Sequence, residues 1–335
     1  MKRQALCLFL PVFLVGIAVA EPFQFVENNE KKQLSLSEGT LPILTYQYDA
    51  IEHDHVPSRD LRRLAGCYVH PLHGLRGEIL TDNAPTDHFH HHGVFWTWPH
   101  VGVHEPDGKV TEYDLWTSNG TLKQYFVRWI DKTISEQSAV IEAENGWFIG
   151  KPQEGKKIMT ERVKITVHRV VSDLAGFPAN RTVDFEFLLQ PTDKAITLRG
   201  SEGKSYGGFT VRLKPFVATE QREARRSEIN AITVPTGIAA GDLPETPLAW
   251  ADYTSVFSDD QKPSGVAVFI PKTHPDFPPT WLTRYYGPLC VGWPGVEGKT
   301  FKPGEKIELK YRMWIHDGAV TLPQIEKAYT EYNKE

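Results

Sequence analysis

The chain has 335 residues, of which 40% are hydrophobic and 24% are charged, and its formal net charge is −5. This composition excludes disorder along the whole chain, and the length excludes a small disulfide-stabilised module. The acidic balance, without any block of basic residues, argues against nucleic acid as a partner. The 26 glycines and 24 prolines indicate many turns, which favours β structure over a helical bundle.

The first segment has the features of a secretory signal peptide. Lys2 and Arg3 precede an apolar run from Ala5 to Ala20 that ends in small residues, as a cleavage site requires. We therefore expect cleavage after Ala20 and export to the periplasm or the extracellular space. The loss of two positive charges changes the net charge from −5 to −7. No later stretch approaches the roughly 20 apolar residues of a membrane helix, so no membrane insertion is expected after cleavage.

Two cysteines remain once the signal peptide is removed. Cys7 lies in the signal peptide, whereas Cys67 and Cys290 lie in the mature chain. In an oxidising compartment these two can form one disulfide, and the alternative is two separate buried thiols. The sequence leaves both possibilities open.

Alternating apolar and polar residues predict antiparallel strands along the mature chain. In residues 306–316 the odd-numbered positions from Ile307 to Ile315 are apolar, and Lys306 to Arg312 place charges on the other face. Similar patterns predict strands at 41–48, 122–130, 138–144, 162–168, 182–189, 194–199, 208–214 and 265–270. Turn sequences such as Asn145-Gly146 separate them. We expect an all-β fold, a large antiparallel sandwich that forms a single domain over residues 21–335.

One helix is predicted, at the C-terminus. Thr321 can cap it, Pro323 suits its first turn, and Gln324 completes a capping box. Ile325, Ala328 and Tyr329 form an apolar face, which we expect to pack on the outside of a sheet.

Histidine is concentrated in one part of the chain. Eight of the 13 histidines fall between His70 and His104, and the densest stretch reads Asp87-His88-Phe89-His90-His91-His92-Gly93. If this stretch is extended, His88, His90 and His92 share one face and could bind a transition metal. The spacing matches no known zinc motif, and the alternative for each ring is a hydrogen-bonded structural role. Asp87 could orient one imidazole by accepting its N–H.

Further polar and aromatic residues precede predicted strands elsewhere in the chain. Lys204 and Tyr206 stand before the strand that carries Arg212, and the neighbouring Gly207-Gly208 pair permits close backbone approach. Later, His274 is followed by Trp281 and Arg284. Tryptophan can stack on sugar rings, although any single tryptophan is as readily explained as part of the core.

The histidine stretch and its surroundings resemble the bacterial family known as PmoA-like, or "methane oxygenase PmoA". The similar segments are Cys67–Leu72 and Thr81–Trp96, with the hallmark Asp-His-x-His-His, and weaker matches extend the resemblance over residues 40–316. The family pattern has arginine where this chain has His92. If the family's arginine binds a carboxylate or phosphate, its replacement by a titratable imidazole implies a different substrate preference. The segment Tyr311–Gly318 is also similar to galactose-mutarotase-like supersandwiches, a fold that hosts epimerases, lyases and sugar-binding proteins.

These observations predict an exported carbohydrate-active protein, an enzyme that acts on a sugar or glycoside by general acid–base chemistry. An imidazole can donate or accept a proton near neutral pH. We expect His88 and His91 to be the acid and base, Asp87 to orient one ring, and His274 to act from the opposite wall. The predicted substrate-binding residues are His70, His90, Lys204, Tyr206, Arg212, Trp281 and Arg284. The alternatives are a non-catalytic carbohydrate-binding protein and, as the resemblance implies, a copper-dependent oxidase or monooxygenase that uses His88, His90 and His92.

Overall fold

A computed structural model describes residues 21–117, 120–172, 177–215 and 230–334. The predicted signal peptide, residues 1–20, lies outside these ranges. In the described part of the chain, none of the helices is both long and apolar enough to cross a membrane.

The structure consists almost entirely of β-strands. In chain order these are β1 (Phe23–Asn28), β2 (Gln33–Glu38), β3 (Leu41–Gln47), β4 (Ile51–Glu52), β5 (Leu64–Ala65), β6 (Tyr68–Leu72), β7 (Val94–Thr97), β8 (His100–His104), β9 (Val110–Tyr113), β10 (Leu122–Ile134), β11 (Ser138–Ile149), β12 (Lys156–His168), β13 (Asn180–Pro191), β14 (Ile196–Arg199), β15 (Gly208–Arg212), β16 (Ala231–Val234), β17 (Gly237–Ile238), β18 (Leu243–Pro247), β19 (Trp250–Val256), β20 (Pro263–Phe269), β21 (Thr280–Thr283), β22 (Pro288–Val291), β23 (Lys299–Phe301) and β24 (Ile307–Asp317). A 3-10 turn spans Leu61–Arg63, and one α-helix, α1, spans Leu322–Tyr332.

Two nine-stranded sheets form the body of the fold. The first has the order β1-β2-β3-β6-β7-β15-β22-β21-β18, and the second has the order β10-β11-β12-β13-β24-β20-β19-β16-β17. A four-stranded sheet, β23-β14-β8-β9, and the short pair β4-β5 complete the described strands. The pairings between these strands are antiparallel, which confirms the predicted all-β sandwich.

The two large sheets pack face to face through aromatic side chains. Trp96 of the first sheet lies 4.9 Å, between ring centroids, from Phe187 of the second, and Phe209 stacks on Tyr311 at 4.6 Å. One buried carboxylate joins the sheets: Glu161 of β12 accepts the indole N–H of Trp96 at 2.7 Å. Burial of this much aromatic surface is the main stabilising contribution to such a sandwich.

Strand β24 is the predicted strand at 306–316, and its apolar positions are buried as expected. The prediction that Arg312 would be exposed is wrong, because only 8% of that residue remains accessible. Helix α1 explains the difference: the ring of its Tyr332 lies 4.5 Å from the Arg312 guanidinium. The helix has the predicted capping box between Thr321 and Gln324.

The two described cysteines are separate buried thiols and not a disulfide. Burial raises the pKa of the Cys290 thiol to about 11 and that of Cys67 well above its usual range. Neither thiol is therefore a nucleophile at neutral pH.

Candidate active site

The topology of the first sheet brings three distant parts of the chain to one edge. Strand β15 pairs antiparallel with both β7 and β22, so the end of β15 lies beside the starts of its two neighbours. Val211 pairs with Val94, and Arg212 pairs with Pro288. The histidine stretch before β7, the guanidinium that ends β15 and Tyr286 before β22 therefore meet at this edge.

The histidine stretch is folded into two tight turns. The backbone N–H of His88 donates to the carbonyl of Pro85 at 2.9 Å, and that of His91 donates to the carbonyl of His88 at 3.0 Å. The expectation of an extended segment with His88, His90 and His92 on one face is therefore wrong. Turn hydrogen bonds instead gather His88, His90 and His91, whose ring centroids are 4.6 to 5.6 Å apart.

Two glycines allow the chain to turn at this edge. Gly93 has a φ of +58°, and a Cβ there would lie 2.1 Å from the carbonyl oxygen of Val69 on β6. Gly287 has a φ of +127°, and its Cβ would lie 2.2 Å from the carbonyl oxygen of Leu213. Only glycine combines this backbone conformation with so close an approach.

An acid–imidazole pair, Asp87 and His88, lies at this edge of the sheet. Asp87 Oδ2 is 2.9 Å from His88 Nδ1 and 3.3 Å from Arg212 Nη2. Burial opposes ionisation of Asp87, but the hydrogen bond from His88 and the charge of Arg212 together lower its pKa to about 2. The carboxylate is therefore charged at neutral pH and holds one nitrogen of the His88 ring.

Tyr286 completes the surroundings of this pair. Its ring is nearly parallel to that of His88, with centroids 5.2 Å apart, and the Arg212 guanidinium lies 4.7 Å from its centroid. His88 also stacks on His91 at 4.6 Å. A third of the His88 side chain remains exposed, whereas Arg212 is 4% exposed. His88 is thus a solvent-reachable imidazole held in position by its neighbours.

The other imidazoles of the stretch are held neutral. Burial lowers the pKa of His90 to about 4 and those of His91 and His92 well below their usual range, and the neighbouring imidazoles and cations add to the effect. His91 and His92 are 4% and 5% exposed. At neutral pH these rings can accept or donate hydrogen bonds without carrying charge.

His92 belongs to a second group of rings behind the first. It stacks on His53 with centroids 5.2 Å apart, lies 5.0 Å from Tyr68, and its Nδ1 contacts Asn83 Oδ1 at 3.0 Å. His70 lies in the same region, where its Nδ1 is 3.0 Å from the hydroxyl of Thr81.

Aromatic side chains line the wall next to His90 and His91. Trp116 lies 5.8 Å from His91 and 6.3 Å from His90, measured between ring centroids. Tyr206 packs against Trp116 at 4.9 Å. Of the residues predicted to hold a substrate, Tyr206, His90 and Arg212 thus lie at this site.

Two other predicted residues, Trp281 and His274, are held elsewhere by partners of their own. Trp281 is fully buried and donates its indole N–H to the carbonyl of Leu248 at 2.8 Å, so it offers no face to a sugar. His274 is 5% exposed and its ring contacts Trp293 and Tyr311. It is therefore part of the core and not an opposite wall.

Lys204 and Arg284 lie on the surface. Lys204 is exposed. Arg284 forms an ion pair with Asp242 at 2.8 Å, and its charge contributes to lowering the pKa of Tyr286, although burial outweighs it and raises that pKa overall. The charge of Arg284 therefore influences Tyr286 electrostatically.

The metal ligands predicted from the sequence are not brought together. His92 packs against His53 and Asn83, while His88 packs against His90, His91 and Tyr286. Among the described residues, no group of three or more His, Cys, Asp or Glu side chains is arranged to hold a metal ion.

Sequence reasoning missed His53, Tyr68, Asn83, Trp116 and Tyr286. The pair His53 and His55 was a usable signal, because histidine is scarce outside the 70–104 segment. Tyr286 carried none, since only strand pairing between β15 and β22 places it beside His88.

Comparisons with known proteins assign the chain to a family without assigning a function. Residues 33–330 match the DUF6807 model, described as a family of unknown function, and the chain belongs to that family. No curated protein matches the chain. Among solved structures, it is similar to the GH36 alpha-galactosidase AgaA from Geobacillus stearothermophilus in complex with raffinose, with 11% identity and a TM-score of 0.26. That match covers 89% of this chain but 41% of the other, and likeness this low carries no inference about function.

Proposed function

We propose that this DUF6807 protein acts on a carbohydrate by general acid–base chemistry, with the Asp87–His88 pair as the proton-transferring group. The observation that carries the proposal is the solvent-reachable His88 ring, whose Nδ1 lies 2.9 Å from an ionised carboxylate. With the Asp87 carboxylate beside Nδ1, Nε2 is the nitrogen left to exchange a proton with a ligand. A positioned acid–base group typically accelerates a reaction by roughly 10²- to 10⁴-fold.

The uncharged and aromatic side chains near His88 favour a neutral ligand that carries many hydroxyl groups. His90 is partly exposed and stays uncharged at neutral pH because burial lowers its pKa, and an uncharged imidazole hydrogen-bonds hydroxyl groups. Tyr206, half-buried against Trp116, adds aromatic surface, which matches the C–H faces of a sugar ring. The predicted export of the mature chain is consistent with a glycan as substrate.

Arg212 has a positioning role in this scheme. It is buried, with its Nη2 3.3 Å from Asp87 and its guanidinium over the ring of Tyr286. The cation helps to keep Asp87 ionised, and the ionised carboxylate lies beside Nδ1 of His88. His91, stacked on His88, restricts the tilt of that ring.

The test is turnover of a panel of oligosaccharides and glycosides by the mature chain, its His88→Ala variant and a matched control. His100→Ala is the control, because His100 forms a similar pair with Glu112 at 3.0 Å and is 32% exposed against 33% for His88. We expect His88→Ala to lower kcat about 100-fold or more with little change in Tm, and His100→Ala to retain activity.

Two outcomes would overturn the assignment. Unchanged turnover in His88→Ala would exclude the pair from the chemistry. Glycan binding without any product after long incubation would replace the enzyme with a carbohydrate-binding protein.

A further inference from the structure

A small cavity lies next to His90 and His92. His90, His92, Thr97 and Lys123 are among its lining residues, and its volume is about 20 Å³. A cavity of roughly 10–15 Å³ or more, measured in this way, can hold one water molecule when two to four polar groups surround it. The cavity is therefore large enough for one oxygen atom and too small for a whole sugar.

A chain of hydrogen bonds leads from the protein interior to His92. The hydroxyl of Tyr68 lies 3.2 Å from His53 Nε2, and Asn83 Nδ2 donates to that hydroxyl oxygen at 3.3 Å. The oxygen of the same amide, Asn83 Oδ1, lies 3.0 Å from His92 Nδ1. An amide oxygen only accepts, so the proton between them belongs to His92 Nδ1.

This arrangement determines the tautomer of His92. With the proton on Nδ1, Nε2 carries a lone pair, and it is a buried nitrogen without a hydrogen-bond partner in the structure. The ring is 5% exposed. Its pKa is well below the usual range because of burial and the nearby His53, so Nε2 remains an acceptor across the physiological pH range.

A second unpartnered group lines the same cavity. The hydroxyl of Thr97 is buried and has no hydrogen-bond partner, and Thr97 is 8% exposed. His90 Nδ1 is a third such atom on a residue that lines the cavity. Buried polar atoms without partners are unfavourable, so together they strongly favour an occupant that can hydrogen-bond to them. A hydroxyl accepts or donates, whereas Nε2 only accepts, so the occupant must donate to His92.

We infer that this cavity binds a single hydrogen-bond-donating oxygen between His92 Nε2 and Thr97 Oγ1. In the free protein this oxygen is a water molecule, and a hydroxyl of a bound ligand can take its place. Asn83 is a positioning residue, since it sets which His92 nitrogen faces the cavity. Only the ligand-hydroxyl part of this inference rests on the proposed function.

The first experiment measures the His92 tautomer. Two-bond ¹H–¹⁵N spectra of the mature chain at neutral pH should show the Nδ1–H form of His92. Asn83→Asp retains an acceptor for Nδ1–H and should keep that form, whereas Asn83→Leu removes the acceptor and should shift the ring toward Nε2–H. If Asn83→Leu does not fold, the tautomer of His92 in Asn83→Asp still tests the inference. The Tm of Asn83→Asp shows whether that variant is folded. An Nε2–H ring in the unmodified protein would overturn the inference.

The second experiment locates the occupant in high-resolution crystals. We expect one spherical density peak within hydrogen-bond distance of both His92 Nε2 and Thr97 Oγ1 in the unmodified protein. Crystals soaked in glycerol distinguish water from a ligand hydroxyl as the occupant. Either the water persists or a glycerol hydroxyl replaces it, and each of these oxygens can donate a hydrogen bond to His92 Nε2. A dry cavity would overturn the inference.

These measurements are independent of turnover. A correct tautomer and an occupied cavity in a protein without activity would reject the proposed function alone. Activity that depends on His88, together with a dry cavity, would reject this inference alone.

Discussion

Acidification from neutral pH to pH 5 should cost this protein a large part of its stability. Burial lowers the pKa values of His53, His70, His90 and His274 to about 4 in the folded chain. An imidazole in the unfolded chain has a pKa of about 6.5. Between these two values the unfolded state binds more protons than the folded state, so the free energy of unfolding falls as pH falls through this window.

The size of the effect follows from these values. One pKa unit corresponds to about 1.36 kcal/mol, so a shift from about 6.5 to about 4 removes about 2 kcal/mol per imidazole at pH 5 and about 3.4 kcal/mol well below pH 4. Four such groups remove about 8 kcal/mol at pH 5, which is comparable to the whole stability of a typical domain. Acid unfolding should therefore begin above the pH at which the carboxylates titrate.

His274 offers the cleanest test, because its ring is 5% exposed and contacts Trp293 and Tyr311 but none of the clustered imidazoles. Urea unfolding, followed by tryptophan fluorescence, should be measured for the unmodified protein and His274→Asn at pH 7, 6 and 5. The variant should be less stable at pH 7, and the difference should shrink by about 2 kcal/mol at pH 5. Parallel pH profiles for the two proteins would refute the reasoning.

Two substitutions test the structure around the site: one changes the buried carboxylate of Glu161, and the other changes the turn at Gly93. Glu161→Gln places an amide N–H₂ among donors from Trp96, Trp147, Asn145 and Gln124, so we expect a loss of about 2–3 kcal/mol in urea unfolding; an unchanged midpoint would show that these bonds do not stabilise the core. Gly93→Ala should prevent folding or lower the Tm sharply, because its Cβ would lie 2.1 Å from a carbonyl oxygen. Gly108→Ala, where φ is +85° and no atom lies within 4 Å, is the matched control and should cost about 1 kcal/mol. Equal losses in the two glycine variants would contradict the role given to the close approach.

Local sequence patterns determined the fold class. Alternation with a period of two predicted strands such as β24 and β13, and the capping box at Thr321 predicted α1, because these signals depend on residues a few positions apart. The density of histidine around residue 90 predicted the position of the candidate site, since so many imidazoles in one short segment are seldom needed by a core.

Tertiary structure decided which of these residues meet. The turn at Pro85–His91 separated His92 from His88, and strand pairing brought Arg212 and Tyr286 to them from more than a hundred residues away along the chain. The same packing left Trp281 and His274 in the core, although their residue types suit a binding site. Sequence records which side chains are available, but contact between distant segments depends on strand order and register, which arise only when both sheets bury their apolar faces together.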